Sequence, residues 1–354
     1  MVSLFHMFTF KISKIIPRPN NNISIQFEDL SKSFPAYKAG QFLTLSFLFG
    51  EREVRRSYSF SSSPVLNEPL EITVKRVDNG EISRLLHHKL KVNDEIQVLQ
   101  AQGLFTYEPT QDMGKTIFLF GAGIGITPLY SILKTALTED SNSKVVLIYS
   151  NSSKEQTVFY TELLDWQARY PDRLHVEFIW SDSKNLLKAR LNRDYILELV
   201  NNHQSSNLGN SVFYTCGPLF YMDLCRFTLL GLGVPDELIK KETFHFPEEE
   251  EDEDEKDEIP VDTSSYKLEL KFQGETYNLV VPYNKTILDV GLEHKIKLPY
   301  SCKSGMCSTC ISQVTQGTVR MDYNEVLTDN EVSNGRCLIC TSHPLEDNTI
   351  IEVI

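Results

Sequence analysis

The chain has 354 residues, 41% of them apolar or aromatic, enough for two to three domains with buried cores. Its formal net charge is −13, a sign that argues against nucleic acid as a partner. Seven cysteines and no secretion signal speak against a disulfide scaffold and for a reducing, cytoplasmic setting: Met1 to Phe10 carries no basic leader, and Phe8 to Ser13 alternates like a strand.

Residues 1–112 read as strands and turns. Ile23 to Phe27, Phe42 to Leu45, Glu71 to Val74 and Glu95 to Leu99 show strand spacing, interrupted by one short helix at Ser83 to Leu90. Short strands with few helices predict an antiparallel β-barrel domain. In 113–246 the strands Thr116–Phe120, Lys144–Tyr149, Leu174–Trp180 and Ser211–Thr215 alternate with helical stretches at Leu129–Thr138 and Thr157–Tyr170, which predicts an α/β domain with a parallel sheet. Thr116 to Leu133 holds 18 uncharged residues, a length that hints at a membrane span. Gly121, Gly123, Gly125 and Pro128 break it, so we read strand, turn and helix and expect no transmembrane segment.

Charge is concentrated in the next stretch. Residues 1–246 balance to zero, 247–262 carry −10 and 263–354 carry −3. Pro247 to Pro260 has Ile259 as its one apolar residue apart from the prolines; it predicts an extended acidic linker with a reach of at most ~46 Å. Residues 263–354 form the last domain. Tyr266–Phe272 and Thr276–Val281 read as a hairpin turning at Gly274-Glu275, followed by a helix at Thr286–Glu293 with Thr286 as N-cap and Asp289 at its third position.

That domain carries Cys302, Cys307, Cys310 and, after 29 intervening residues, Cys340. The spacing C-x4-C-x2-C…C is the plant-type ligand set of a [2Fe–2S] cluster. Two irons need two thiolates each; a tight loop supplies three, and Gly305, Ser304 and Ser308 allow its N–H groups to face the sulfurs. A zinc ribbon on Cys307-x2-Cys310 and Cys337-x2-Cys340 is the alternative, but it leaves Cys302 unused and separates the pairs by 26 residues. With the iron–sulfur reading, Cys337 is a buried spare thiol.

Further motifs punctuate the first two domains: Arg56-Ser57-Tyr58-Ser59 at a strand end, Gly80-Glu81-Ile82-Ser83 at the short helix, and Ala101-Gln102-Gly103-Leu104-Phe105 near the barrel's close. Gly121 to Pro128 departs from the G-x-G-x-x-G fingerprint but reads Gly-x-Gly-Ile-Thr-Pro from Gly123. Tyr214-Thr215-Cys216-Gly217-Pro218 follows the last parallel strand, and Glu242-Thr243-Phe244 ends the domain. In this order the motifs resemble the ferredoxin–NADP reductase family of flavoproteins with a β-grasp ferredoxin domain fused at the C-terminus, as in reductase subunits of multicomponent oxygenases such as those of phenylacetyl-CoA epoxidase and ketosteroid hydroxylases. Ala101 stands where the family has Pro.

The resemblance implies an FAD domain (1–112), an NAD(P) domain (113–246), the linker (247–262) and the ferredoxin domain (263–354). It implies that Arg56 neutralises the FAD pyrophosphate, Tyr58 packs on the isoalloxazine, and Ser57 and Ser59 reach the flavin, Ser59 near N5. Gly80 and Ser83 set the pyrophosphate on a helix N-terminus. Gly123, Gly125, Thr127 and Pro128 receive the dinucleotide, Cys216, Gly217 and Pro218 lie on the nicotinamide side, and Phe244 covers the flavin face. Cys225 is expected in the core and His87-His88 at the surface.

NAD sites place a carboxylate at the end of the second strand. Here that strand runs into Ser150-Asn151-Ser152-Ser153-Lys154. Ser150 and Lys154, assisted by Arg190, are expected to hold a 2′-phosphate, giving NADPH a preference over NADH on the order of tenfold. The expected function is electron transfer from NADPH (or NADH) through FAD and the [2Fe–2S] cluster to a partner terminal oxygenase, hydroxylase or desaturase. The alternative is a zinc-ribbon interaction protein with a degenerate reductase body.

Overall fold

A computed structural model describes residues 7–50, 52–185, 188–204, 207–244 and 264–354. They fall into two compact units, one within His6–Phe244 and one within His245–Ile354. The acidic stretch 247–262, read above as a linker, lies outside the described residues.

In the first unit, strand alternation buries Phe8, Phe10 and Ile12 from β1 (Met7–Arg18). It joins β2 (Asn22–Asp29), β3 (Phe42–Phe49), β4 (Arg52–Ser59), β5 (Leu70–Lys75) and β6 (Glu95–Leu99) in an antiparallel sheet of order β4-β3-β6-β1-β2-β5. The sheet curls until Phe60, just past β4, bridges Ile72 of β5 and closes the barrel. Helix α1 (Glu81–His88) buries Ile82 and Leu86 against the barrel core.

A connector containing α2 (Pro109–Asp112) leads into the parallel lobe: β7 (Thr116–Ala122), α3 (Ile126–Glu139), β8 (Lys144–Asn151), α4 (Tyr160–Arg169), β9 (Leu174–Trp180), α5 (Arg193–His203), β10 (Ser211–Cys216), α6 (Leu219–Gly231) and β11 (Ile239–Glu242). The strand order is β11-β10-β7-β8-β9. The chain steps one way from β7 to β8 and β9, then returns to β10 and β11 on its other side. The switch point therefore lies between β7 and β10, where an open α/β sheet offers a crevice at its carboxyl edge. Both central strands are buried on both faces, which explains their unbroken apolar runs.

Barrel and sheet are joined by a polar seam along α3. Ser131 Oγ donates to Ser62 O at 2.6 Å, Ser63 Oγ and Thr135 Oγ1 share a hydrogen bond of 2.7 Å, and Lys134, its side chain 5% exposed, pairs with Glu68. Arg18 of β1 pairs with Glu162 of α4.

The second unit contains β12 (Ser265–Phe272), β13 (Glu275–Pro282), α7 (Ile287–Glu293), β14 (Ile311–Gln316), β15 (Val319–Met321), α8 (Asp329–Ser333), β16 (Arg336–Leu338), β17 (Ser342–Pro344) and β18 (Thr349–Val353). Its main sheet has the order β13-β12-β18-β14-β16, with β12 and β18 parallel, the β-grasp arrangement. The hairpin turns at Gln273-Gly274, one residue earlier than the spacing suggested; both residues take positive φ (54° and 83°), as a two-residue loop requires. Thr286 and Asp289 form a complete capping box on α7.

Candidate functional site

The carboxyl ends of the parallel strands collect the nucleotide motifs. Gly123 takes φ +54°, and Gly125 packs so closely on β10 that a Cβ there would stand 2.2 Å from Cys216 O. A Cβ on Gly217 would meet Ala122 Cβ at 2.9 Å. The loop is held from both sides: Tyr149 Oη donates to Gly123 O (3.0 Å) and Tyr221 Oη to Gly121 O (3.2 Å). Thr127 is buried and its hydroxyl donates to Ile124 O at 3.1 Å, so it braces the loop instead of facing outward; Pro128 lies in the first turn of α3.

At this edge Ser150 lies against Tyr221, Asn151 against Tyr149 and Thr215 against the core thiol of Cys225, while Thr243 Oγ1 is buried without a hydrogen-bond partner. The backbone kept thin at Gly123, Gly125 and Gly217, with Thr243 Oγ1 unpaired next to Glu242 in sequence, fits close approach of a dinucleotide. At the end of β8, Lys154 is exposed, its Nζ 4.9 Å from the centre of the Tyr160 ring. Arg190 is exposed as well. The Asp182 N–H donates to Ser152 O at 3.1 Å. Asp182, in the turn after β9, is thus held by its backbone beside the loop that follows β8, a neighbour that local sequence around Ser150 does not reveal.

In the barrel, the period of β4 sets Arg56 and Tyr58 on one face and Ser57 and Ser59 on the other. Arg56 is exposed and donates Nη1 to Arg55 O; Tyr58 is half-buried, and burial pushes its phenol up. Ser57 Oγ lies 2.8 Å from Thr44 Oγ1. Arg52 Nη2 meets Glu81 Oε1 at 2.5 Å, which ties the start of α1 to β4. Gly80 is the N-cap, where a Cβ would stand 2.4 Å from Ser83 Oγ. Ser83 is buried and its oxygen accepts from Val77 N–H at 3.1 Å; its hydroxyl closes the turn and leaves anion binding to the free N–H groups of the first helical turn. A cavity of about 330 Å³ lined by Arg76, Asp78, Arg84 and His88 adds cationic groups beside this helix. His88 is exposed, whereas His87 is half-buried, with Nε2 3.3 Å from Val74 O.

The two lobes meet at Ser59. Its Oγ donates to Glu242 Oε2 at 2.9 Å, and Glu242 stands opposite Cys216 in the β10–β11 ladder. Burial pushes the Glu242 carboxyl up to about 8 against the lowering effect of the Ser59 hydrogen bond. Cys216 is fully buried, and burial followed by Glu242 drives its thiol well up. Phe244, two residues past Glu242, is 37% exposed. Glu242 is the site residue that the motif reading passed over: in Glu242-Thr243-Phe244 the aromatic ring drew the assignment, while the carboxylate pairs with a residue 183 positions away. Cys225 is buried in the sheet core.

In the second unit, Cys302 interacts with Cys307 and Cys340, and Cys340 with Cys310. Hydrogen bonds from those two thiols and from Ser304 and Met306 N–H pull Cys302 far below the thiol range, so it is suited to be a thiolate. Ser304 N–H points at Cys302 Sγ from 3.4 Å, and Thr309 Oγ1 lies 3.4 Å from Cys307 Sγ. Lys303 and Gly305 take positive φ (58° and 72°), and a Cβ on Gly305 would stand 2.4 Å from Tyr323 O. Among the described residues no three His, Cys, Asp or Glu side chains gather as round a single ion. The four sulfurs, joined in the chain Cys307–Cys302–Cys340–Cys310, fit a two-iron centre and include Cys302, which a zinc ribbon leaves unused. Cys337 is fully buried, in contact with Ser342.

Three family models match in the order barrel, sheet, cysteine domain: an oxidoreductase FAD-binding domain over 22–107, an oxidoreductase NAD-binding domain over 119–226 and a 2Fe-2S iron-sulfur cluster binding domain over 270–345. The chain is 32% identical over 351 residues to the ferredoxin reductase component of 3-ketosteroid-9-alpha-monooxygenase from Rhodococcus rhodochrous, covering 96% of this chain and 95% of that one. It is 29% identical over 358 residues to a component of the 1,2-phenylacetyl-CoA epoxidase of Escherichia coli K12, covering 99% and 98%. Phthalate dioxygenase reductase shares the fold, with a TM-score of 0.61, 22% identity and 98% of each chain covered. The chain belongs to the family of three-domain oxygenase reductases, in which FAD- and NAD-binding domains are followed by a [2Fe–2S] ferredoxin domain.

Proposed function

We propose that this chain is the NAD(P)H-dependent reductase component of an oxygenase system, delivering electrons to a separate terminal oxygenase, hydroxylase or desaturase. The observation that carries the reading is the convergence at Ser59, Glu242 and Cys216: Ser59 of the flavin motif bonds to Glu242, which stands opposite Cys216 of the nicotinamide motif in the β10–β11 ladder. When bound, the flavin accepts a hydride from the nicotinamide nucleotide and the [2Fe–2S] cluster takes up electrons singly.

The residues set positions. Arg56 and the first N–H groups of α1 would hold the FAD diphosphate, and Tyr58 would pack on its ring system. Glu242, its carboxyl pushed up by burial, holds the Ser59 hydroxyl at the mouth of the crevice. Gly125 and Gly217 keep backbone beside Cys216 thin enough for a flat ring to approach. Phe244 would cover the flavin and swing aside for nicotinamide. Cys302, Cys307, Cys310 and Cys340 would hold the cluster.

Nucleotide choice rests on the balance at the end of β8: Ser150 and Lys154 favour a 2′-phosphate, and Asp182 opposes it. We place the protein in the cytoplasm, where its seven free cysteines stay reduced. Among the described residues no helix is long and apolar enough to cross a membrane.

The test is anaerobic titration of the purified chain with NADPH and with NADH. Flavin absorbance should bleach, followed by the signal of a reduced [2Fe–2S] centre. Protein that folds without flavin, or whose flavin reduces while the cluster stays oxidised, would refute the reading.

A further inference from the structure

Strand β11 is an edge strand of four residues, three of them ionisable, and its one sheet neighbour is β10. Propensity alone holds such a strand weakly. Yet its end carries Glu242, Thr243 and Phe244, and a slip of one position would turn Glu242 away from Ser59. Something must fix its register.

Lys240 does so. It stands opposite Tyr214 in the ladder, two residues before Glu242, as Tyr214 stands two before Cys216. Its ammonium donates to Thr106 O (2.9 Å) and Tyr214 Oη (3.0 Å) and lies 3.5 Å from Asp112 Oδ2. Tyr214 Oη in turn donates to Asp112 Oδ2 at 3.0 Å. Asp112 is 4% exposed and also accepts from the Glu108 N–H. Thr106 and Asp112 belong to the connector between barrel and sheet. The ammonium therefore ties the outermost strand to the segment that joins the lobes.

We propose that Lys240 is a positioning residue for hydride transfer: by anchoring β11 to the connector through Thr106, Asp112 and Tyr214, it holds Glu242 against Ser59 and Phe244 over the crevice. This rests on the reading of that crevice as the flavin–nicotinamide site. Lys240 contacts neither Ser59 nor Glu242, so its effect runs through strand register.

The test compares Lys240→Met, Lys240→Arg and Glu242→Gln in the FAD-loaded full chain by anaerobic stopped-flow. Met keeps the stem and removes the donors, while Asp112 retains Tyr214 and Lys115 (3.7 Å). Lys240→Met should keep FAD content but slow flavin reduction at saturating NADPH by about tenfold or more, since small misplacements are costly in hydride transfer. Its nucleotide Kd should stay within about twofold, because the adenosine side is untouched. Lys240→Arg should recover most of the rate. A Lys240→Met protein that reduces at the parent rate would overturn the inference, as would parallel loss of rate and FAD in both Lys240 variants, which would mark a fold-stabilising role. If Glu242→Gln also leaves the rate unchanged, the reading of the crevice fails; if Glu242→Gln slows reduction and Lys240→Met does not, the anchor alone fails.

Discussion

Replacing Glu242 by Gln should make the protein's stability less dependent on pH, with a sign that follows from the burial of its carboxyl. The ordinary value of 4.5 is pushed up to about 8. Below pH ~4.5 the folded and unfolded chains both hold the proton, and Glu242 contributes no pH dependence. Between the two values only the folded chain holds it, so stability falls as pH rises, by about 1.4 kcal/mol per pH unit. Above pH ~8 the loss is complete. The 3.5-unit difference corresponds to about 5 kcal/mol, an upper figure; solvent reaches the half-buried residue, and screening brings the expectation to about 2–3 kcal/mol. Glu242→Gln removes that cost, so the variant should match the parent near pH 5 and exceed it by this amount at pH 9. Guanidinium unfolding followed by tryptophan fluorescence measures it, because Trp166 and Trp180, the chain's two tryptophans, both lie in the N-terminal unit. A gap that is constant from pH 5 to pH 9, or that narrows as pH rises, would contradict the argument.

Serine at Cys302, Cys307, Cys310 or Cys340 should abolish the [2Fe–2S] absorbance and paramagnetic signal, whereas Cys337→Ser should keep both; FAD should be retained in all five, as a flavin assay will show. Cys216→Ala should slow flavin reduction with FAD content intact, and Arg56→Ala should instead lower FAD content; a wild-type reduction rate in Cys216→Ala would make the thiol purely structural. Lys154→Ala should lower, and Asp182→Ala raise, the NADPH:NADH ratio of kcat/KM by roughly tenfold each, from a gain or loss of ~1–2 kcal/mol at the 2′-phosphate; unchanged discrimination in both would remove the end of β8 from the specificity account. Gly125→Ala, whose Cβ would stand 2.2 Å from Cys216 O, should impair nucleotide reduction more than ferricyanide-coupled oxidation of dithionite-reduced enzyme.

The long elements were legible because their signals are local. The alternation of Glu95–Leu99, the apolar run from Thr116 and the Thr286–Asp289 cap each reside in a few consecutive residues, and the structure shows them there. The cysteine motif was legible for the same reason, its spacing being tied to cluster chemistry. Strand β11 was not: Ile239-Lys240-Lys241-Glu242 has no apolar alternation, and only pairing with β10 makes it a strand. Glu242 and Asp182 escaped because their neighbours come from distant segments. Ser83 and Thr127 stand at the motif positions, yet their hydroxyls turn inward, since a tight turn has its own donors and acceptors to satisfy.

The seam along α3 has a consequence for how the crevice admits its nucleotide. A hinge between barrel and sheet would have to strip the buried ammonium of Lys134 from the exposed carboxylate of Glu68 and break the buried bonds of Ser131 and Thr135 to the barrel; each buried donor or acceptor left unpaired costs about 1–3 kcal/mol. The N-terminal unit is therefore a poor clamshell. On the proposed reading access then falls to the ring of Phe244, and exchange of nicotinamide should be paced by side-chain motion and not by the slower opening of domains. Nucleotide binding in this protein should leave the shape of the N-terminal unit, as small-angle scattering would see it, unaltered.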